Sequence, residues 1–210
     1  MLLIKCYLTT VRKVTDLKAQ QLLQTSIHHF AAHGYEGASL QEIATEVGIK
    51  KPSIYAHYKG KDDLFLQATT YALQEQKRRF ATYFTKTRQQ PLEQSLHGFF
   101  DWFISEQQDD ILMRFILRAA YFPPEKLEQE MTKRFNPFFD SLHDLLTRLL
   151  RERDRTEQIL YSTDYKSAAL AYLTVAEGTL TELVYNGVDA FHARQQAVWP
   201  IVWRGMSKTI

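Results

Sequence analysis

Cysteine is nearly absent: the 210-residue chain has one, Cys6. A lone thiol closes no internal disulfide and offers no paired metal ligands, which argues against a disulfide-stapled scaffold and a Cys-based zinc site. A reducing, cytoplasmic compartment is the expectation. Charge of one sign is lacking too. Lys and Arg number 26 against 24 Asp and Glu, a net charge of +2, so no whole-molecule attraction to nucleic acid or membrane exists and any such argument must be local. No apolar run is long enough to span a bilayer. The opening "MLLIKCYL" is interrupted by Lys5 and followed by no small-residue cleavage site, so it reads as neither signal peptide nor membrane anchor. Catalytic signatures are missing as well: there is no GxSxG, P-loop, HExxH or paired Glu-x-x-His. No enzyme activity, cofactor or metal site is expected. An enzyme built in a helical bundle would have to rely on scattered histidines such as His97 and His143, for which no partner spacing speaks.

No stretch alternates apolar and polar residues long enough to make a strand, and the apolar residues recur at three- and four-residue spacing. The chain therefore reads as all-α. Of eight glycines, four (Gly34, Gly37, Gly48 and Gly60) fall between 34 and 60. Short, closely punctuated helices are predicted there and long ones beyond. Three domain-level segments follow: a tail over 1–15, a three-helix domain over 16–62, and a larger helical bundle over 63–210. The first helix is predicted from about Asp16 to His33 and ends at Gly34. "SLQE" (Ser39–Glu42) is a capping box that opens the second, with Ser39 accepting from the Glu42 amide. Gly48 closes it, and Pro52 suits the first turn of the third. Asp62 and Asp63 open a fourth helix running to about Thr87. Later helices are predicted from Pro91, over Ile111–Tyr121, over Lys126–Arg153 with a break at Asn136–Pro137, over Asp164–Tyr185, and over Ala190–Met206 with a kink at Pro200.

The second and third helices with the tight Gly48–Lys51 turn between them make a helix-turn-helix. In the third, Ile54 and Tyr58 share an inner side, while Pro52, Ser53 and Ala56 point away with Tyr55 and His57 on the flanks. Residues 48–61 hold four lysines and no acid. A small, hydrogen-bonding face without carboxylates suits phosphates and base edges, although basic runs are also common as plain solvated loops.

Register decides between the two. "FAAHGYEGASLQEIATEVGIKKPSIYAHYKGKDDLF" (Phe30–Phe65) resembles the DNA-binding domain of the tetracycline-repressor-type (TetR/AcrR) family of bacterial transcription regulators. The resemblance rests on Phe30, Gly34-Tyr35, Ser39, Ile43-Ala44, Val47-Gly48-Ile49, Ile54-Tyr55, His57-Tyr58, Lys61 and Leu64 in one fixed spacing. It covers about residues 16–66; the remainder matches only in length and helical character. It implies a homodimer that binds a palindromic double-stranded DNA operator, usually as a repressor, and is released by a small, often apolar effector. By the same resemblance Ser39 would meet a phosphate at a helix N-terminus, while Lys50, Lys51, Pro52 and Ser53 would reach base edges or phosphates. Ala56 would lie on the same face, Tyr55 and His57 would bond phosphates, and Lys61 would anchor another. Many members carry glycine where this chain has Pro52, so the base preference does not transfer. Ser39 is equally a plain cap. His28, His29 and His33 lack a neighbouring carboxylate or cysteine and read as ordinary histidines rather than a metal site.

Beyond residue 67 aromatics are dense, and most must be core. The family's effector cavity would fall here, lined by apolar walls with a few polar groups. The candidates are Trp102, Phe103, Glu106, Met113, Tyr121, Phe122, Phe139, His143 and Glu177. The helix around residues 168–184 is apolar around most of its circumference and needs burial on two sides. Leu173, Leu180, Val184, Trp199 and Trp203 are accordingly candidates for a two-fold dimer contact, with a helix at the centre of a monomer as the other reading. A helix-turn-helix protein whose bundle is purely structural, with no effector, is the alternative.

Overall fold

In the computed structural model the chain is helical throughout, and the structure describes residues 2–107 and 111–208, with side chains at 17–105, 111–183 and 185–208. The helices are α1 (Leu2–Gly37), α2 (Leu40–Glu46), α3 (Lys51–Ile54), α4 (Lys61–Lys86), α5 (Leu92–Gln107), α6 (Ile111–Tyr121), a 3₁₀ turn (Glu125–Leu127), α7 (Glu128–Glu157), α8 (Tyr165–Tyr185) and α9 (Gly187–Met206). Among the described residues the only extended pairing is a single bridge, Leu160 to Ser207.

Two compact units emerge, and their borders differ from the division predicted at residue 62. One unit comprises Met1–Gln76 with Asp110–Asn136, the other Lys77–Asp109 with Pro137–Ile210. In the first, α6 packs on α1, and α1 and α3 both pack on α2. Its centre is an aromatic cluster in which Phe65 meets Phe30 edge-on at 4.9 Å, Tyr35 at 5.2 Å and Phe115 at 5.5 Å. Phe115 comes from α6, so the three N-terminal helices complete their core with a segment far along the chain. No local periodicity announces that.

The second unit packs α9 against α8 and α5. Phe99 sits between Phe80, Phe84, Trp102 and Tyr172, with ring centres 5.2 to 6.5 Å away. Two buried tyrosine hydroxyls are satisfied within it: Tyr172 donates to the Leu96 carbonyl at 2.7 Å and Tyr83 to that of Ser95 at 2.9 Å. Leaving either unpaired would cost the desolvation of a buried polar group.

Several boundaries depart from prediction. α1 begins at Leu2, so helix replaces the predicted tail over 1–15; no glycine or proline interrupts residues 2–33. At Gly34, however, φ 71° and ψ −179° are not helical, so the α1 span is two helices joined there and the first ends at Gly34 as expected. α7 passes Pro137 unbroken and α9 contains Pro200 within its span. Each proline forfeits one backbone hydrogen bond, but both are exposed, where water can take the freed carbonyl.

Candidate nucleic-acid interface

The first unit holds the predicted reading element. α2 starts at Ser39, whose extended backbone and side chain cap it; Oγ accepts from the Gln41 amide at 3.3 Å, one residue short of the predicted Glu42 partner. At the other end Gly48 adopts φ 71°. Its amide donates to the Thr45 carbonyl at 3.0 Å and that of Ile49 to Ala44 at 2.9 Å. This is a Schellman closure, which needs a left-handed residue at that position. The chain leaves it extended at Lys50 and enters α3 with Pro52 in the first turn.

α3 is only four residues long, but winding continues. Amides of Ser53, Tyr55, Ala56 and His57 donate three residues back, and Tyr58 donates to the Ile54 carbonyl at 2.9 Å. So short an element has no stability of its own; it is seated from below. Ile54 is fully buried, and the Tyr58 hydroxyl donates to the Ala19 carbonyl of α1 at 3.1 Å. Seating these two turns Lys50, Lys51, Pro52, Ser53, Tyr55 and Ala56 outward, all exposed, while His57 and Ser39 are half-buried. The His29 ring bonds the Glu46 carboxylate at 2.8 Å and further ties α1 to α2.

Lys61 is engaged. Its ammonium donates to the Glu36 carbonyl at 3.1 Å and lies 4.7 Å from the centre of the Tyr35 ring. Asp63 accepts from the Lys59 amide at 2.8 Å. The neighbouring Asp62 receives the Tyr35 hydroxyl and, at 2.8 Å, the Lys126 ammonium. Lys126, with Tyr35, holds the Asp62 carboxyl below the usual carboxylate range. Burial, then Asp62, pushes the Tyr35 hydroxyl up, and Asp62, then Tyr35, pushes the Lys126 ammonium up. Arg118 of α6 donates to the Ala31 and Ala32 carbonyls at 3.3 and 3.1 Å. Sequence reading assigned nothing to Arg118 or to the Lys126 side chain, which sit more than 60 residues from their partners.

Residues 22–68 match the family of bacterial regulatory proteins described as the tetR family. Those residues carry the DNA-binding domain of the TetR family. The chain is 43% identical over 54 residues to the uncharacterized HTH-type transcriptional regulator YerO of Bacillus subtilis, spanning 26% of this chain and 19% of that one. It is 23% identical over 154 residues to the negative regulator of the biofilm operon icaADBC, IcaR, of Staphylococcus epidermidis, spanning 73% and 78%. In fold it is similar to a TetR-family regulator from Cytophaga hutchinsonii, with TM-score 0.73, 15% identity and 93% and 97% of the two chains covered. FadR from Bacillus subtilis in complex with stearoyl-CoA has TM-score 0.66 at 17% identity, covering 89% and 98%. The family and the names of these relatives are those of transcriptional regulators, not enzymes.

The candidate effector residues fall into two groups. Met113, Tyr121 and Phe122 belong to the first unit, and Trp102, Phe103, Phe139, His143 and Glu177 to the second; the Glu106 side chain lies outside the described residues. Phe103 and Met113 are buried, Trp102 and His143 half-buried, and Tyr121, Phe122, Phe139 and Glu177 exposed. His143 bonds the Lys166 carbonyl at 2.9 Å. The Glu177 carboxyl is raised by partial loss of water around it, although the residue as a whole is exposed. Of the candidate dimer residues, Leu173, Trp199 and Trp203 are buried in the chain itself and Leu180 is half-buried, while Val184 lies outside the described side chains. Trp199 stacks on Trp203 with centres 5.7 Å apart and meets His97 at 5.1 Å. The tryptophan stripe thus faces inward, because α5 covers it. The large exposed apolar residues among the described side chains of α8 and α9 are instead Leu170, Tyr185 and Ile201. Among the described residues no helix is long and apolar enough to cross a membrane.

Proposed function

We propose that this TetR-family regulator binds a palindromic duplex operator as a homodimer and represses transcription from it. The observation that carries the reading is the exposed, acid-free face of Lys50, Lys51, Pro52, Ser53, Tyr55 and Ala56 on a buried seat of Ile54. Lysine, serine and proline at the start of a helix suit base edges in a major groove, and a tyrosine hydroxyl and histidine on its flanks suit phosphates. Ser39 and Lys61 add two phosphate partners at the bordering helix starts.

The dimer reading is supported by exposed apolar surface on α8 and α9. Leu170 and Ile201 are 58% and 66% exposed, and an open groove between these helices is lined by Ala168, Ala171, Ile201 and Val202. Two helices from each copy would bury this surface in a two-fold contact, and the two α3 elements would then meet half-sites related by the same axis. An effector of small size and apolar character would bind in the aromatic C-terminal region and act through its different affinity for the bound and free conformations. The stearoyl-CoA held by the similarly folded FadR makes an acyl chain the first probe to try. Helix α4, which starts at Lys61, is the continuous covalent route from that region.

Selection from a random duplex library followed by footprinting tests the reading. A protected site with dyad symmetry is expected. Three or four phosphate contacts per subunit give a log–log salt slope of about −5 to −7 for the dimer. Protection without symmetry, or a slope near zero, overturns it.

A further inference from the structure

The start of α4 poses a difficulty for a phosphate anchor at Lys61. The next residue is Asp62, whose side chain is 48% exposed, and a bare carboxylate there repels the phosphate that Lys61 attracts. Its charge is met by a residue 64 positions further along, where the Lys126 ammonium lies 2.8 Å from Oδ1. The Tyr35 hydroxyl donates to the same oxygen. Both lysines share the Tyr35 ring as well, at 4.7 Å for Lys61 and 5.0 Å for Lys126. With Lys126 present, Lys61, Asp62 and Lys126 carry one net positive charge; without it the group is neutral. An ion pair exposed to this degree contributes little to folding. Its effect is on what the surface attracts.

We propose that Lys126, in the 3₁₀ turn after α6, is a positioning residue for DNA binding, neutralising Asp62 so that Lys61 can take a backbone phosphate of the duplex. This rests on the DNA-binding reading above. Lys126 acts through Asp62 and contacts no base, so it sets affinity for all sequences alike. The turn that carries it packs in the same unit as the reading element. Movement of that turn away from Asp62 would uncover the carboxylate beside the anchor.

The test compares the full-length parent, Lys126→Gln, Lys126→Arg, Asp62→Asn and the Lys126→Gln/Asp62→Asn double variant by fluorescence anisotropy on random duplex DNA. The Asp62→Asn side chain keeps an oxygen for the Tyr35 hydroxyl while losing the charge. Lys126→Gln is expected to weaken binding about threefold per subunit and about tenfold for a dimer, the size of one exposed charge several ångströms from a phosphate. Lys126→Arg and Asp62→Asn should bind at least as well as the parent, and the double variant should return to within about twofold of it. Full affinity in Lys126→Gln overturns the proposal. So does a double variant as weak as Lys126→Gln, which would mean that Lys126 touches DNA itself. A fall in melting temperature that tracks the affinity loss assigns the pair a folding role and also overturns it. Failure of the parent to bind duplex DNA at low salt is seen before any variant is compared, and it refutes the DNA-binding reading together with this inference.

Discussion

Gly34→Ala should destabilise the first unit by an amount that divides into two separable parts. At φ 71° and ψ −179° the residue occupies a region of backbone space that is essentially glycine's alone, and forcing an L side chain into it costs about 1–3 kcal/mol. A Cβ built there would lie 3.0 Å from the Arg118 Nε and Nη2. The guanidinium is the far end of a flexible side chain and can swing away cheaply. Swinging away breaks its bonds to the Ala31 and Ala32 carbonyls, worth about 0.5–1.5 kcal/mol each. The total is about 2–6 kcal/mol. In an Arg118→Ala background those bonds are already gone, so Gly34→Ala should cost only the backbone part. The two substitutions should therefore be coupled by about 1–3 kcal/mol. Native-state hydrogen exchange at the buried Ile43 and Ile54 amides reads the opening of this unit directly, and all three tryptophans (Trp102, Trp199 and Trp203) lie in the second unit, where their fluorescence is a separate reporter. Gly34→Ala within about 0.5 kcal/mol of the parent would refute the backbone argument. Full additivity with Arg118→Ala would refute the link between α6 and the end of α1.

Other outcomes follow from the same structure. Burial, with a smaller push from the Asp101 charge, raises the Tyr83 hydroxyl to about 12, and burial raises Tyr172 well above the ordinary value. Their contribution is complete below the unfolded value near 10 and is lost as pH rises beyond it; Tyr83 alone accounts for about 2–3 kcal/mol at the top of that window. Absorbance titration should show these two tyrosines ionising only as the second unit unfolds; ionisation with the exposed tyrosines would contradict this. Asp62 has the opposite sign. Its carboxyl is held low in the folded chain, so its contribution is present above the unfolded value of about 4 and fades as pH falls further. Acid unfolding monitored by circular dichroism should lose part of its pH dependence in Asp62→Asn, and an identical acid limb would dismiss the pair. On the DNA side, Lys51→Ala and Ser53→Ala should change which sequences are selected, whereas Tyr55→Phe should weaken all sequences alike. Uniform weakening by all three would dissolve the division between base and phosphate contacts.

What could be read in advance was local. The glycine at 48, the serine at 39 and the proline at 52 each impose a conformation on their own neighbourhood, so the order of helices and the turn between α2 and α3 were legible from residue types. The inward direction of Ile54 and Tyr58 followed from four-residue spacing. The opposite case is Trp199 and Trp203: periodicity marks a stripe as apolar but does not say which partner covers it, and here α5 of the same chain does. Phe115, Arg118 and Lys126 were illegible for a related reason. Each acts on a partner brought near only by the tertiary fold, and nothing in their own surroundings records it. Proline misled at 137 because its usual cost in a helix is reduced where solvent replaces the lost bond.

The four-residue α3 has a consequence for how this protein could change over generations. Its shape is supplied by one buried isoleucine, a tyrosine hooked to α1 and a glycine turn, while the residues facing outward bear almost no folding load. Lys50, Lys51, Ser53 and Ala56 can therefore vary with little penalty in stability. A lineage could rewrite the message that this surface reads while inheriting its scaffold intact, and new regulatory targets would be reachable by single substitutions without passing through unfolded intermediates.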